Sequence, residues 1–281
     1  MILFKHRKDL SSYLQNSSIT PSSIGFVPTM GALHNGHISL IQAARLENTL
    51  VVASIFVNPT QFTELIDFEK YPSTIEADIL KLEKAGCDIL FLPSIADIYP
   101  NGSSPSQQYD LGQLDSILEA EFRKGHFQGV CQIVHLLLEI IAPGKLYLGQ
   151  KDFQQCLVIK KMISLVGIDT SVIICPTQRE PDGLAMSSRN VRLSHSERQK
   201  AAYLFKTLSF IKENVQQKDL ENLKQIAQNS LTDQGFKVDY VAISNAQTLE
   251  TIQNWNGKST LVALVAANIN HVRLIDNLVL N

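Results

Sequence analysis

The chain has no C-x-x-C pair and few cysteines: Cys87, Cys131, Cys156 and Cys175 stand far apart. Scattered thiols provide neither a zinc ribbon nor a disulfide framework. Each lies in apolar sequence, where a buried small hydrophobe is the expected role. An excess of charge of one sign is also missing, since 25 Lys and Arg face 27 Asp and Glu. Without a basic footprint, electrostatics give no reason to expect a nucleic-acid partner. The longest apolar runs, around Leu136–Ala142 and Leu261–Ala267, are too short to cross a bilayer. The opening Met1-Ile2-Leu3-Phe4-Lys5-His6-Arg7 lacks the long apolar segment of a secretory signal. No repeat or low-complexity linker is found. These absences lead to the expectation of a soluble, cytoplasmic protein with no membrane partner.

What is present is an alternation of strand-like and helix-like segments. Ile24–Thr29 reads as a strand and Gly36–Glu47 as a helix. Leu50–Val57 is a near-continuous apolar run, as expected for a strand buried on both faces of a parallel sheet. Helices are expected over Thr74–Ala85, Gln128–Ile141 and Asp152–Val166, and strands over Asp88–Leu92, Lys145–Leu148 and Ser171–Cys175. This βαβα order implies an α/β, Rossmann-like parallel-sheet domain over residues 1–176. After Pro176 the pattern changes. Ser194-His195-Ser196-Glu197 has the form of a capping box. A second helix is expected over Leu220–Leu231, then strands Val238–Ile243, Ser259–Ala266 and His271–Ile275 with no helix between them. Residues 177–281 are therefore expected to form a smaller α+β domain with an antiparallel sheet.

Four polar clusters follow predicted strands or lie at the domain junction. His34-Asn35-Gly36-His37 opens a helix directly after a strand. Free amides and the helix dipole make such a turn an anion site, so the two imidazoles suit phosphate. A zinc pair or a plain Asn-Gly surface turn are the alternatives. Asp182–Asn190 carries Ser187, Ser188 and Arg189 after a glycine. Two hydroxyls and a guanidinium fork suit a polyphosphate, although serine-rich loops are common. Gly149-Gln150-Lys151-Asp152-Phe153-Gln154-Gln155 ends a parallel strand, where open α/β sheets bind ligands. Lys151 can neutralise phosphate and Asp152 can accept from ribose hydroxyls, or Asp152 can simply cap a helix. Phe56-Val57-Asn58-Pro59-Thr60-Gln61-Phe62 offers amides to a polar small molecule, or is an Asn-Pro turn.

Together with Pro28–Leu33 and the closing Val272-Arg273-Leu274-Ile275-Asp276-Asn277, these segments closely resemble the pantothenate synthetase (pantoate–β-alanine ligase) family. The resemblance runs nearly end to end. Its paired signatures, H-x-G-H and Met186-Ser187-Ser188-Arg189, are those of the wider nucleotidylyltransferase superfamily. Gln150 stands where a glutamate is familiar in the family. The resemblance implies ATP-dependent condensation of pantoate with β-alanine through a pantoyl adenylate, giving pantothenate, AMP and pyrophosphate, a step in coenzyme A biosynthesis. It implies His34, His37, Lys151 and Arg189 as catalytic residues. ATP would be held by Met30, His34, His37, Gly149, Lys151, Asp152, Met186, Ser187, Ser188 and Arg189. Pantoate would be held by Gln61 and Gln155, beside Met30 and Asn58. It further implies Mg2+ with ATP, with Asp78 as a metal-side carboxylate, Tyr71 in the site, a homodimer, and closure of the second domain over the site. Glu119 and Arg123 read equally as a helical ion pair. His126 is given no role, and His135, on an apolar helical stretch, is expected to be a satisfied core histidine.

Two other readings share the H-x-G-H signature. A nucleotidylyltransferase acting on a phosphate acceptor leaves the amides of Asn58, Gln61 and Gln155 unexplained. A non-catalytic nucleotide-binding module would be expected to have lost phosphate donors, yet all are present.

Overall fold

The computed structural model describes residues 1–63, 65–102, 107–216, 219–253, 255 and 257–281. By internal contacts the chain forms two compact units, one of Met1–Gly149 with Val158–Pro176 and one of Gln150–Leu157 with Thr177–Asn281. The short segment Gln150–Leu157 thus groups with the second unit, whereas the pattern of the sequence assigns it to the first.

The first unit holds six parallel strands: β1 (Ile2–Phe4), β2 (Ile24–Thr29), β3 (Leu50–Ile55), β4 (Ile89–Phe91), β5 (Lys145–Gly149) and β6 (Ser171–Cys175). Their order across the sheet is β1-β4-β3-β2-β5-β6. From β2 the chain moves outward through β3 to β4, then returns to the other side of β2 as β5. The switch point lies between β2 and β5, and ligands of open α/β sheets bind at the carboxyl ends beside such a point. Every residue of β3 is buried, which explains a run that is apolar except for Ser54.

The Asn35–Glu47 helix packs Leu40, Ile41 and Ala44 against this sheet. At its end, Asn48 donates to the Ala44 carbonyl and to the hydroxyl of the fully buried Tyr147, both at 2.7 Å. Gly25 leaves room for that amide, since a Cβ there would lie 2.6 Å from Asn48 Nδ2. Strand β1 and the Arg7–Asn16 helix are among the elements that the sequence pattern does not mark. Strand β1 has only three residues, and the Arg7–Asn16 helix buries only Leu10 and Leu14.

The second unit holds an antiparallel sheet of β7 (Lys237–Asn245), β8 (Leu261–Ile269) and β9 (Val272–Val279). Central β8 is almost wholly buried. Helices His195–Ala201, Tyr203–Asn214 and Leu220–Asp233 belong to the same unit. The capping box forms as the sequence predicts: Ser194 accepts from the Glu197 amide, and Glu197 accepts from the Ser194 amide at 2.7 Å. The helix it opens, His195–Ala201, is followed after Ala202 by Tyr203–Asn214, which the sequence pattern does not mark. Leu204, Leu208 and Ile211 of that helix have no exposed surface and pack in one cluster with Leu223, Leu231 and Val265. Leu208→Ala is therefore expected to cost about 2–5 kcal/mol of stability, from lost burial plus the cavity left behind. Urea unfolding checks this, and a loss below about 1 kcal/mol would mean that the helix is not core.

Candidate active site

In the first unit, Gly31 (φ +86°) and Ala32 (φ +49°) turn the chain sharply out of β2. A non-glycine residue in this region costs of order 1–2 kcal/mol, so something must hold it. That group is Asp78, buried on the Ile75–Lys84 helix. Its carboxylate accepts from the amides of Ala32 (2.8 Å) and Leu33 (2.9 Å) and from the Thr74 hydroxyl (3.0 Å). Lys81, one helical turn on, donates to the Leu33 carbonyl at 2.6 Å. Asp78 thus braces the turn, with each of its oxygens accepting at least one hydrogen bond. Among the described residues, no group of three or more His, Cys, Asp or Glu is arranged to hold a metal ion.

The turn delivers His34 as the N-cap of the following helix. His34 Nδ1 accepts from the Gly36 amide at 3.1 Å, and His37 Nδ1 accepts from the His34 amide at 3.2 Å. This is a capping box made of two imidazoles. A nitrogen that accepts carries no proton, so each neutral ring bears its proton on Nε2. The rings lie 4.0 Å apart between centroids, tilted by 38°. Both are partly exposed. The arrangement offers two N–H donors side by side at a helix start, which suits an anion and not a zinc ion.

At the end of β3, Asn58 is buried and serves as the N-cap of a short turn, Pro59–Gln61. Its Oδ1 accepts from the Tyr99 hydroxyl at 2.8 Å, and its Nδ2 donates to the Gly129 carbonyl at 3.1 Å. Gln61 remains partly exposed, with its amide against Met30 Sδ. The structure therefore brings Met30, Asn58 and Gln61 together. Tyr71 stacks edge-on to Phe62 and, with Met30 and Gly31, lines a cavity of about 340 Å³. His135 is half-buried and bonded to the Tyr109 hydroxyl at 2.8 Å, the satisfied state expected of it. All four cysteines are buried, and desolvation pushes the thiols of Cys87 and Cys131 up to about 12. Such thiols are not nucleophiles.

In the second unit, Lys151 lies in the turn Gln150–Asp152, with Nζ 3.5 Å from Asp152 Oδ1. The turn is held by Asn277 of β9. Asn277 Nδ2 donates to the carbonyls of Gln150 (2.9 Å) and Lys151 (2.8 Å), while its Oδ1 accepts from Gln150 Nε2 (3.3 Å). Gln155 follows, partly exposed.

Residues 178–186 form a tight hairpin, closed by the Met186 amide on the Gln178 carbonyl at 2.9 Å. Arg179 spans it. Its guanidinium makes paired bonds to Asp276 (2.6 and 3.0 Å), reaches the Gly183 carbonyl (3.0 Å), and lies 4.1 Å from the Phe205 ring centroid. Burial pushes the Asp276 carboxyl up, and the guanidinium opposes that. Gly183 (φ +92°) lets Phe205 close in, since a Cβ there would lie 2.2 Å from the ring. Beyond the hairpin, Ser187 accepts from the Arg189 amide at 3.3 Å and starts the Ser188–Arg192 turn. Met186, Ser187 and Arg189 are partly exposed, and Ser188 is buried. Arg179, Asp276 and Asn277 were not assigned roles from sequence. For Asp276 and Asn277 the one signal there is the Val272–Asn277 motif, and Arg179 has none.

Residues 2–279 match the family model of pantoate-beta-alanine ligase. The pantothenate synthetase of Cytophaga hutchinsonii is 45% identical over 283 residues, covering 100% of this chain and 99% of that protein. A crystal structure of pantothenate synthetase from Thermus thermophilus superposes with a TM-score of 0.91 at 38% identity, covering 99% of each chain. The pantoate-beta-alanine ligase of Francisella tularensis, solved with beta-gamma ATP and beta-alanine, gives a TM-score of 0.81 at 40% identity, over 99% of this chain and 97% of that one. Motifs, fold and full-length matches agree: the chain belongs to the pantoate–β-alanine ligase family.

Proposed function

We propose that this protein condenses pantoate with β-alanine in two steps driven by ATP. A carboxylate oxygen of pantoate attacks the α-phosphorus of ATP. The bond from that phosphorus to the bridging oxygen breaks, leaving pantoyl adenylate and pyrophosphate. The amine of β-alanine then attacks the adenylate's carbonyl carbon, the carbon–oxygen bond to AMP breaks, and the amine loses a proton. No protein nucleophile is required, in keeping with the buried, high-pKa thiols. The Francisella relative, solved with an ATP compound and beta-alanine, supports this choice of substrates.

The observation that carries the reading is the reciprocal cap of His34 and His37. It leaves the proton of each neutral ring on Nε2, a donor suited to charge that builds on the α-phosphate oxygens. Donors already aimed at developing charge lower the barrier without reorganisation. Lys151, Ser187, Ser188 and Arg189 would hold the triphosphate. Met30, Gly149, Asp152 and Met186 would take the rest of the nucleotide, with Asp152 on the ribose. Gln61, steadied by Asn58, and Gln155 would grip pantoate's hydroxyls and carboxylate. Magnesium would travel on the triphosphate oxygens as a counter-charge. Asp78 is already engaged, so no protein ligand is assigned to the metal. On the same family grounds we infer a homodimer, which sedimentation would read as twice the 31.3 kDa chain; a monomer at working concentration would contradict this.

His34→Ala and Lys151→Ala are each expected to lower pantoate-dependent pyrophosphate release by about a hundredfold or more. Near-normal release by both would remove the assignment. Asn277→Asp keeps the shape of the side chain but sets a carboxylate against two carbonyls. It is expected to lower kcat/KM for ATP by at least about tenfold, because a buried amide donor is lost. An unchanged value would show that the Lys151 turn does not need this strand.

A further inference from the structure

The His126–Ile141 helix begins at a buried residue with no part in the reading above. His126 Nδ1 lies 2.7 Å from the main-chain carbonyl oxygen of Gln61. A carbonyl only accepts, so Nδ1 carries the proton and donates. Nε2 of the neutral ring is then an acceptor, and Arg123 Nη1 donates to it at 3.0 Å. Arg123 in turn stands 3.8 Å from the buried carboxylate of Glu119.

The same helix start also holds the other end of this turn. The Gly129 carbonyl accepts from Asn58, and Gly129 lies so close that a Cβ would sit 2.2 Å from the Thr60 carbonyl oxygen. Asn58 and Gln61 bracket a turn of four residues, and both ends are fastened to one helix turn. Gln61 is itself partly exposed. Its backbone is fixed through the His126 contact, while its side-chain amide lies against Met30 and Asn58, the residues proposed beside pantoate.

We infer that His126 is a positioning residue for Gln61 and, through it, for pantoate; this rests on the pantoate reading proposed above. The ring works as a directed donor whose proton is held on Nδ1 by Arg123. Loss of that donor leaves the Gln61 carbonyl without it and lets the Gln61 turn shift. A shift of this kind weakens the hold on the hydroxy acid and leaves the nucleotide untouched.

The two amide substitutions separate the two ring nitrogens. Asparagine at 126 places its amide nitrogen where Nδ1 is, and glutamine places it near Nε2. Steady-state kinetics on H126N and H126Q, with pantoate and ATP varied in turn, test the assignment. H126N is expected to keep the KM for pantoate within about threefold of the unmodified protein, while H126Q raises it about tenfold or more, the scale of one lost buried hydrogen bond. In both, the KM for ATP should stay within about twofold, since additive effects are expected only for independent sites. In a Gln61→Ala background, H126Q should add less than about twofold, because residues acting as one unit are not additive.

Equal effects of H126N and H126Q overturn the inference. So does a rise in the KM for ATP that matches the rise for pantoate, or full additivity with Gln61→Ala. Should H126Q not fold, Arg123→Met replaces it: a rise of about threefold for pantoate alone supports the inference, and no rise overturns it. An unmodified protein that releases no pyrophosphate with pantoate and ATP overturns the functional reading itself, and this inference with it. Turnover by the unmodified protein with H126Q behaving identically overturns the inference alone.

Discussion

The backbone amides of His34 and Gly36 decide what the two imidazoles can do. Each donates to an Nδ1, at 3.2 and 3.1 Å, and so forces the ring's proton to Nε2. A protonated ring would carry donors at both nitrogens, and the amide would then face a hydrogen. Cap and cation are mutually exclusive for each ring. The bond that starts the helix is therefore also the bond that fixes the chemistry presented to a ligand. It depends in turn on a strained turn: Ala32 holds φ +49° because Asp78 accepts from its amide and the next.

The same logic recurs across both units. Side chains proposed to meet ligands sit on turns, and polar groups of the same unit fasten those turns. Asn277 of β9 holds the carbonyls of Gln150 and Lys151. Arg179, paired with buried Asp276 and packed on Phe205, locks the hairpin that leads to Ser187–Arg189. Asn58 receives the Tyr99 hydroxyl and gives its amide to the Gly129 carbonyl. Fixing the backbone and leaving the side chain free is how a site is preorganised on loops. Asp276 and Asn277 lie on β9 and Gly129 on the His126–Ile141 helix, elements whose own positions are set by the core.

Much of the fold could be read from the sequence, because burial leaves a pattern. Strands β2 and β6 have the bounds expected of them, and the near-continuous apolar run of β3 marks a central strand. Short or half-exposed elements carry little pattern, so β1 and the Arg7–Asn16 helix did not show. Strands β8 and β9 extend beyond their expected ends, since antiparallel pairing carries them on through Asn268, Asn277 and other polar residues. At the site, residue types suited to ligands were legible as motifs. Their supports were not, because the partners are remote in the chain: Asp78 reaches back 45 positions to Leu33, and Asn277 reaches 126 to Lys151. The family resemblance alone implies a metal-side role for Asp78. Only geometry shows its oxygens spent on two amides.

The central claim is that His34 and His37 are neutral rings with the proton on Nε2. Two-bond proton–nitrogen correlation spectra of histidine-labelled protein near neutral pH report this directly, with His34→Gln and His37→Gln supplying the assignments. The predicted result is an unprotonated Nδ1 and a protonated Nε2 for both rings, with the Nε2 signals moving when a non-hydrolysable ATP analogue is added. A proton on Nδ1 of either ring, or a doubly protonated ring, would contradict it.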